Sequence, residues 1–194
     1  MKQLVFFASG SGTNFQSVID AVKEGEIDAN IAGLIVNKPG TGAAERAAKN
    51  DIPVEILAPS SFETSEAYQS VLLNTLKRWQ PDLIVLAGYM LKIPERIIEA
   101  YPEQIINIHP SLLPKFGGKG FYGIKVHKAV LDAGENETGC SVHLVNEQYD
   151  QGPVLAQRKV PVKESDSPET LAKRVLEKEH ELLPQVIKNY LKNS

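Results

Sequence analysis

Leu4-Val5-Phe6-Phe7-Ala8-Ser9-Gly10-Ser11-Gly12-Thr13-Asn14 joins an apolar run to a glycine-rich turn and the start of an amphipathic segment. The run is short and has no polar alternation, so it reads as a strand buried on both faces. From Asn14 to Lys23, Phe15, Val18, Ile19 and Val22 recur at helical spacing. The same unit then repeats. Strands are expected at Ile31–Val36, Val54–Leu57, Leu83–Ala87 and Ile105–Ile108. Helices are expected at Ala43–Asn50, Ser65–Trp79 and Glu95–Ala100, the second with Tyr68, Val71, Leu72, Leu76 and Trp79 inward. Apolar strands alternating with helices predict an α/β fold, a Rossmann-like open, mainly parallel sheet with helices on both faces.

Beyond position 110 the pattern changes. Phe116–Gly123 is a glycine-rich loop and Lys125–Ala133 a helix. Gly139–Val145 and Val154–Val160 read as strands. A final helix starts at Ser167-Pro168, a capping residue followed by proline at the first helical position, and Pro184 is expected to kink or split it. A single domain follows, with a phosphate-binding lobe at 1–110 and a second lobe at 111–194 that carries the last helix.

The 194 residues are enough to bury a sizeable core. Hydrophobic residues at 42% and charged ones at 23% are globular proportions, which argues against disorder and coiled coil. A net charge of -3 leaves no basic footprint for nucleic acid. Leu4–Ala8 is too short for a signal-peptide core, and no run is long enough to span a membrane. Cys140 is the single cysteine, so no internal disulfide forms. The expectation is a cytoplasmic protein that contacts neither membrane nor nucleic acid, as a monomer or homodimer.

Ser9–Asn14 places glycines between a strand and a helix N-terminus, where backbone N–H groups converge on an anion. The third glycine of a dinucleotide fingerprint would fall at Phe15, and no Gly-Lys-Ser/Thr follows, so a phosphate monoester fits better than NAD or ATP. The alternative is a tight turn with no ligand. Asn107-Ile108-His109 ends a strand and sets the amide and imidazole on one face. An amide can donate to an oxyanion and an imidazole can shuttle a proton, which suits acyl chemistry. The alternative is a buried, hydrogen-bonded histidine beside a turn-capping asparagine. Asp150, locally an Asx-turn residue, gains significance only as a partner of His109. Ser141 and His143 share a strand face as supporting residues, and His127 reads as a surface residue. Cys140 reads as buried and inert. No compact ligand pair predicts a metal.

These residues resemble the phosphoribosylglycinamide formyltransferases, folate-dependent enzymes of purine synthesis within the wider formyltransferase superfamily. The resemblance is carried by Ser9–Asn14, Leu86–Met90, Asn107–Pro114, Gly139–His143, Asp150–Pro153 and Glu179-His180, and it spans the chain. It implies a formyltransferase fold, 10-formyltetrahydrofolate as donor and glycinamide ribonucleotide as acceptor. By matched position, Asn107, His109 and Asp150 are the catalytic set. Gly12, Thr13 and Asn14 hold the phosphate, and Glu179 binds the glycinamide end. Met90, Leu91, Lys92, Ile93, Asn107, Asn146 and Glu147 line the folate pocket. Ser65 stands where relatives often carry a basic residue near the folate tail, a role Lys92 can supply. Lys115–Val126 is longer than in the shortest relatives, and its glycines suggest a mobile flap.

The implied reaction is direct transfer, with Asn107 and protonated His109 on the oxyanion and Asp150 orienting the ring. The alternatives are a formyltetrahydrofolate hydrolase, another formyltransferase and a non-catalytic phosphate-ligand sensor. An added N-terminal domain is expected of the hydrolase and an added C-terminal domain of a formyltransferase acting on initiator tRNA.

Overall fold

A computed structural model describes residues 1–192. The elements are β1 (Lys2–Ala8), α1 (Thr13–Lys23), β2 (Ala29–Val36), α2 (Gly42–Lys49), β3 (Val54–Ile56), α3 (Ser65–Trp79) and β4 (Leu83–Leu86). There follow α4 (Glu95–Ala100), β5 (Ile105–His109), α5 (Ile124–Asp132), β6 (Glu137–Leu144), β7 (Val154–Pro161) and α6 (Pro168–Lys192). One sheet holds all seven strands in the order β3-β2-β1-β4-β5-β6-β7. The neighbouring pairs among β1 to β5 are parallel. β6 turns back against β5, and β7 against β6.

β1 shows why the apolar runs form buried strands. Leu4, Val5, Phe6, Phe7 and Ala8 are each fully covered. Leu4, Phe6 and Ala8 join a core with Phe15, Val18 and Ile19 of α1 and Leu182, Leu183 and Ile187 of α6. Val5 and Phe7 face the opposite core, with Tyr68, Leu72 and Leu76 of α3 and Ile97 of α4. Period-two alternation thus feeds two helix layers from one strand.

The chain runs from β1 outward to β3, then returns to place β4 on β1's other side. The crevice outside the strand ends at such a reversal is where open α/β sheets take ligands. Two hydrogen bonds tie its walls together. Ser9 N donates to Gly88 O at 3.1 Å, and Met90 N donates to Ser9 Oγ at 2.9 Å.

Two expectations are corrected. Val71 is exposed, and Leu73 is buried in its place. The two flank the Tyr68–Leu72–Leu76 stripe on opposite sides, and α3 is turned to cover the flank with Leu73. Pro184 does not split the last helix, which continues from Pro168 to Lys192. Leu182, Leu183, Val186 and Ile187 are buried on both sides of the proline, so packing outweighs the lost backbone bond. Among the described residues no helix is long and apolar enough to cross a membrane.

Candidate active site

A cleft of about 510 Å³ opens at the reversal between β1 and β4. Gly10–Asn14, Asn107, His109, Asp150 and Glu179 all line it.

At one end, Gly12 caps α1 in the left-handed conformation, φ 72°, and no side chain caps the helix. A Cβ on Gly12 would stand 2.6 Å from Ala43 Cα, so glycine is required by conformation and by space. The uncapped first turn leaves backbone N–H groups for an anion. Arg46 of α2 adds a cation beside them, its Nε donating to Ser11 O at 2.9 Å. Asn14 is directed elsewhere. Its Nδ2 donates to Glu179 Oε2 at 2.6 Å, and its Oδ1 is buried without a partner. Burial pushes the Glu179 carboxyl up to about 7, against the opposing pull of the Asn14 bond.

At the other end, Asp150 Oδ1 is shared by three side chains. Asn107 Nδ2 lies at 3.4 Å, His143 Nε2 at 3.5 Å and His109 Nδ1 at 3.6 Å. Gly118 N donates to Oδ2 at 2.9 Å. Burial raises the Asp150 carboxyl, but His143, His109 and the Gly118 N–H outweigh it and hold the pKa below the ordinary value. Asp150 itself is a non-glycine residue at φ 56°, the kind of strained backbone that concentrates at functional sites.

His109 is 4% exposed. Its Nε2–H donates to Phe116 O at 2.8 Å, which leaves Nδ1 facing Asp150. Burial lowers its pKa more than Asp150 and Phe116 raise it, so the resting ring is neutral at pH 7. The β5–β6 register sets Asn107 opposite His143 and His109 opposite Ser141. His143 Nδ1–H donates to Leu144 O at 2.8 Å, and its Nε2 accepts from Asn107 Nδ2 at 3.0 Å. Ser141 works behind the site. It donates to Ser111 O at 2.6 Å and accepts from Leu113 N at 3.0 Å, which holds the turn after His109.

A family model described as "Formyl transferase" matches residues 2–187. The chain belongs to the formyl transferase family. A chloroplastic phosphoribosylglycinamide formyltransferase of Arabidopsis thaliana is 45% identical over 96% of this chain and 64% of its own length. The chain thus spans under two thirds of that plant relative. The phosphoribosylglycinamide formyltransferase of Bacillus subtilis is 39% identical, over 98% of this chain and 95% of its own. The crystal structure of glycinamide ribonucleotide transformylase 1 from Geobacillus kaustophilus superposes with a TM-score of 0.91 at 44% identity. That match covers 98% of this chain and 99% of the other.

In this formyl transferase the remaining expected residues distribute unevenly. Met90 lines the main cleft, while Leu91, Lys92, Ile93 and Asn146 line a smaller pocket that shares Asn107 and Asp150 with it and adds His143. Glu147 is exposed and lines neither, and Gln148 and Tyr149 occupy the wall instead. Ser65 lies outside both, its Oγ accepting from Gln69. The glycine-rich segment lies against the site, with Phe116 O on His109 and Gly118 N on Asp150. Among the described residues no group of three or more His, Cys, Asp or Glu side chains could hold a metal.

His127 corrects the surface assignment. It is 4% exposed and lines the cleft, and burial lowers its pKa to about 4. Its helix packs under α6, a cover that local periodicity does not reveal. Cys140 is buried as expected, its thiol pushed up to about 12 by burial. Arg46 also escaped the sequence reading. Its only signal is a basic residue in the helix after the second strand.

Proposed function

We propose that the chain transfers a formyl group from 10-formyltetrahydrofolate to the amine of glycinamide ribonucleotide in purine synthesis. The observation that carries this is the convergence of Asn107, His109 and Asp150 at one end of a cleft whose other end is an uncapped helix N-terminus. A small phosphorylated acceptor fits that polarity. The names of the relatives supply the formyl group and the acceptor, and the folate donor is what the family resemblance implies.

The acceptor's phosphate lies at Gly12, Thr13 and Asn14, beside Arg46, and Glu179 takes up a polar group of the acceptor. The donor's folate lies along Met90–Ile93 and Asn146. The neutral amine attacks the formyl carbon, and negative charge develops on the formyl oxygen. Asn107 donates to that oxygen by giving up its long contact with Asp150, while its bond to His143 keeps the amide from rotating. His109 is neutral at rest, so it enters as a base at Nδ1. The proton lost by the attacking nitrogen lodges there, facing Asp150 Oδ1, whose ionised charge stabilises it. His109 gives that proton to the departing folate nitrogen as its bond to carbon breaks, which returns the ring to its neutral form. Holding both substrates in one cleft removes much of the entropic barrier.

The test is formyl transfer with the acceptor present or omitted. Acceptor-dependent loss of formyl-folate, matched by formylated acceptor, supports the proposal. Acceptor-independent loss indicates hydrolysis and overturns it, as does binding of the phosphorylated ligand without turnover.

A further inference from the structure

We infer that the side chain of Asn14 is a positioning group for Glu179, and that the phosphate is held at this residue by backbone alone. The inference rests on the acceptor site proposed above and divides its labour.

Three observations carry it. The 2.6 Å Asn14–Glu179 contact is short for N–H···O, as expected when a carboxylate accepts. It spans α1 and α6, residues 165 apart in sequence, and both side chains are over nine-tenths buried, at 8% and 7% exposure. The contact also fixes the amide's orientation, because a flip would set Asn14 Oδ1 against the carboxyl. That oxygen has no partner and cannot accept from a phosphate dianion.

For Glu179 the dependence is one-sided. Asn14 is its only hydrogen-bond partner among the described residues. The groups around it do not replace that partner. Cys140 on β6 is a buried thiol within electrostatic reach. Arg158 on β7 is held by Gln185 Oε1 at 2.5 Å. His127 on α5 lines the same cleft as an uncharged ring. Arg46 of α2 is committed to Ser11 O and Gln16 Oε1. On α6 itself, His180 and Glu181 line an outer groove on the side away from the cleft. Asn14 therefore sets the rotamer of Glu179 and lowers the pH at which it ionises from the one burial alone would impose. One residue reads two parts of the acceptor: its backbone takes the phosphate, and its side chain aims the carboxyl at the rest of the molecule.

The experiment compares wild type with Asn14→Ala and Asn14→Ser. The Glu179 carboxyl is followed by carbon NMR titration, assigned by its loss in Glu179→Gln. Steady-state kinetics are run alongside, with inorganic phosphate as competitive inhibitor. The expected result is a Glu179 titration midpoint raised by about half a unit or more, since the removed bond favours the ionised form. Acceptor KM rises about tenfold with kcat little changed, and inhibition by inorganic phosphate stays within about twofold. An unmoved midpoint with weakened phosphate inhibition overturns the inference and makes the side chain a phosphate ligand. In wild type, the Asn14 side-chain amide nitrogen should titrate with the Glu179 midpoint, and a flat resonance overturns the inference even if both variants fail to fold. The NMR readings need no turnover, so they decide the role of Asn14 even if the chain transfers no formyl group.

Discussion

Asp150 Oδ1 stands 3.6 Å from His109 Nδ1, with side-chain exposures of only 12% and 5%. The carboxylate remains ionised there because His143, His109 and the Gly118 N–H offset its burial. A proton arriving on His109 is therefore met by a charge already in place. Asp150→Asn keeps the shape and removes the charge, so kcat should fall by about 10²-fold or more with both KM values little changed. It also removes an influence that raises the His109 pKa, so the acid limb of the rate profile should move to lower pH. Initial rates across pH 5–9 check both, and wild-type turnover would remove Asp150 from the mechanism.

Gly118 reaches the same carboxylate through its backbone. Its N–H donates to Asp150 Oδ2, and its φ is +95°, a conformation side chains resist. Gly118→Ala should lower kcat by about tenfold and raise the Asp150 pKa, since a bond to the ionised form is weakened. Gly120, at φ +97°, provides the comparison, because it lines the same cleft but gives Asp150 no hydrogen bond. Equal losses in Gly118→Ala and Gly120→Ala would assign the effect to loop strain alone.

The sheet was legible because β1 is buried on both faces and says so in five successive apolar residues. Asn107 and His109 were legible as a pair because strand alternation sets them on one side. Asp150 was legible only conditionally, since its turn sequence suits an ordinary Asx turn and its value comes from a contact 41 residues away with His109. Other parts left no mark. The Phe116 carbonyl and the Gly118 N–H are backbone atoms, which no pattern of side chains announces. His127 sits on a helix whose cover, α6, arrives some forty residues later, so local periodicity underestimates its burial. The Asn14–Glu179 bond is likewise a product of α1–α6 packing, not of either helix's own pattern.

Ser141 should matter for stability before chemistry. Its hydroxyl is fully buried and bonded to Ser111 O, Leu113 N and Gln157 Nε2. Ser141→Ala leaves those groups without their partner at a cost of about 1–3 kcal/mol. At this chain length the midpoint of thermal unfolding should fall by roughly 2–10 °C. Activity should fall as well, because Ser111 and Leu113 belong to the turn that follows His109. An unchanged unfolding temperature would mean that water takes over the lost bonds.

Glu179 ties the site to the stability curve. Its carboxyl titrates near 4.5 when unfolded and is pushed up to about 7 in the folded chain. The folded state therefore binds this proton more tightly. The stability it confers is fully present below about pH 4.5 and is lost as pH rises through about 7. Over that interval wild type should lose roughly 3 kcal/mol from this one group. Glu179→Gln keeps an oxygen to accept from Asn14 and cannot ionise, so the loss should vanish. Urea unfolding at pH 4 and pH 8 distinguishes the cases. The variant should gain on wild type at pH 8 and little at pH 4, whereas the same difference at both pH values would show that Glu179 ionises without a penalty. Acceptor affinity should fall in the same variant at pH 8, where wild type presents the carboxylate, and little at the acidic pH, where both side chains are neutral.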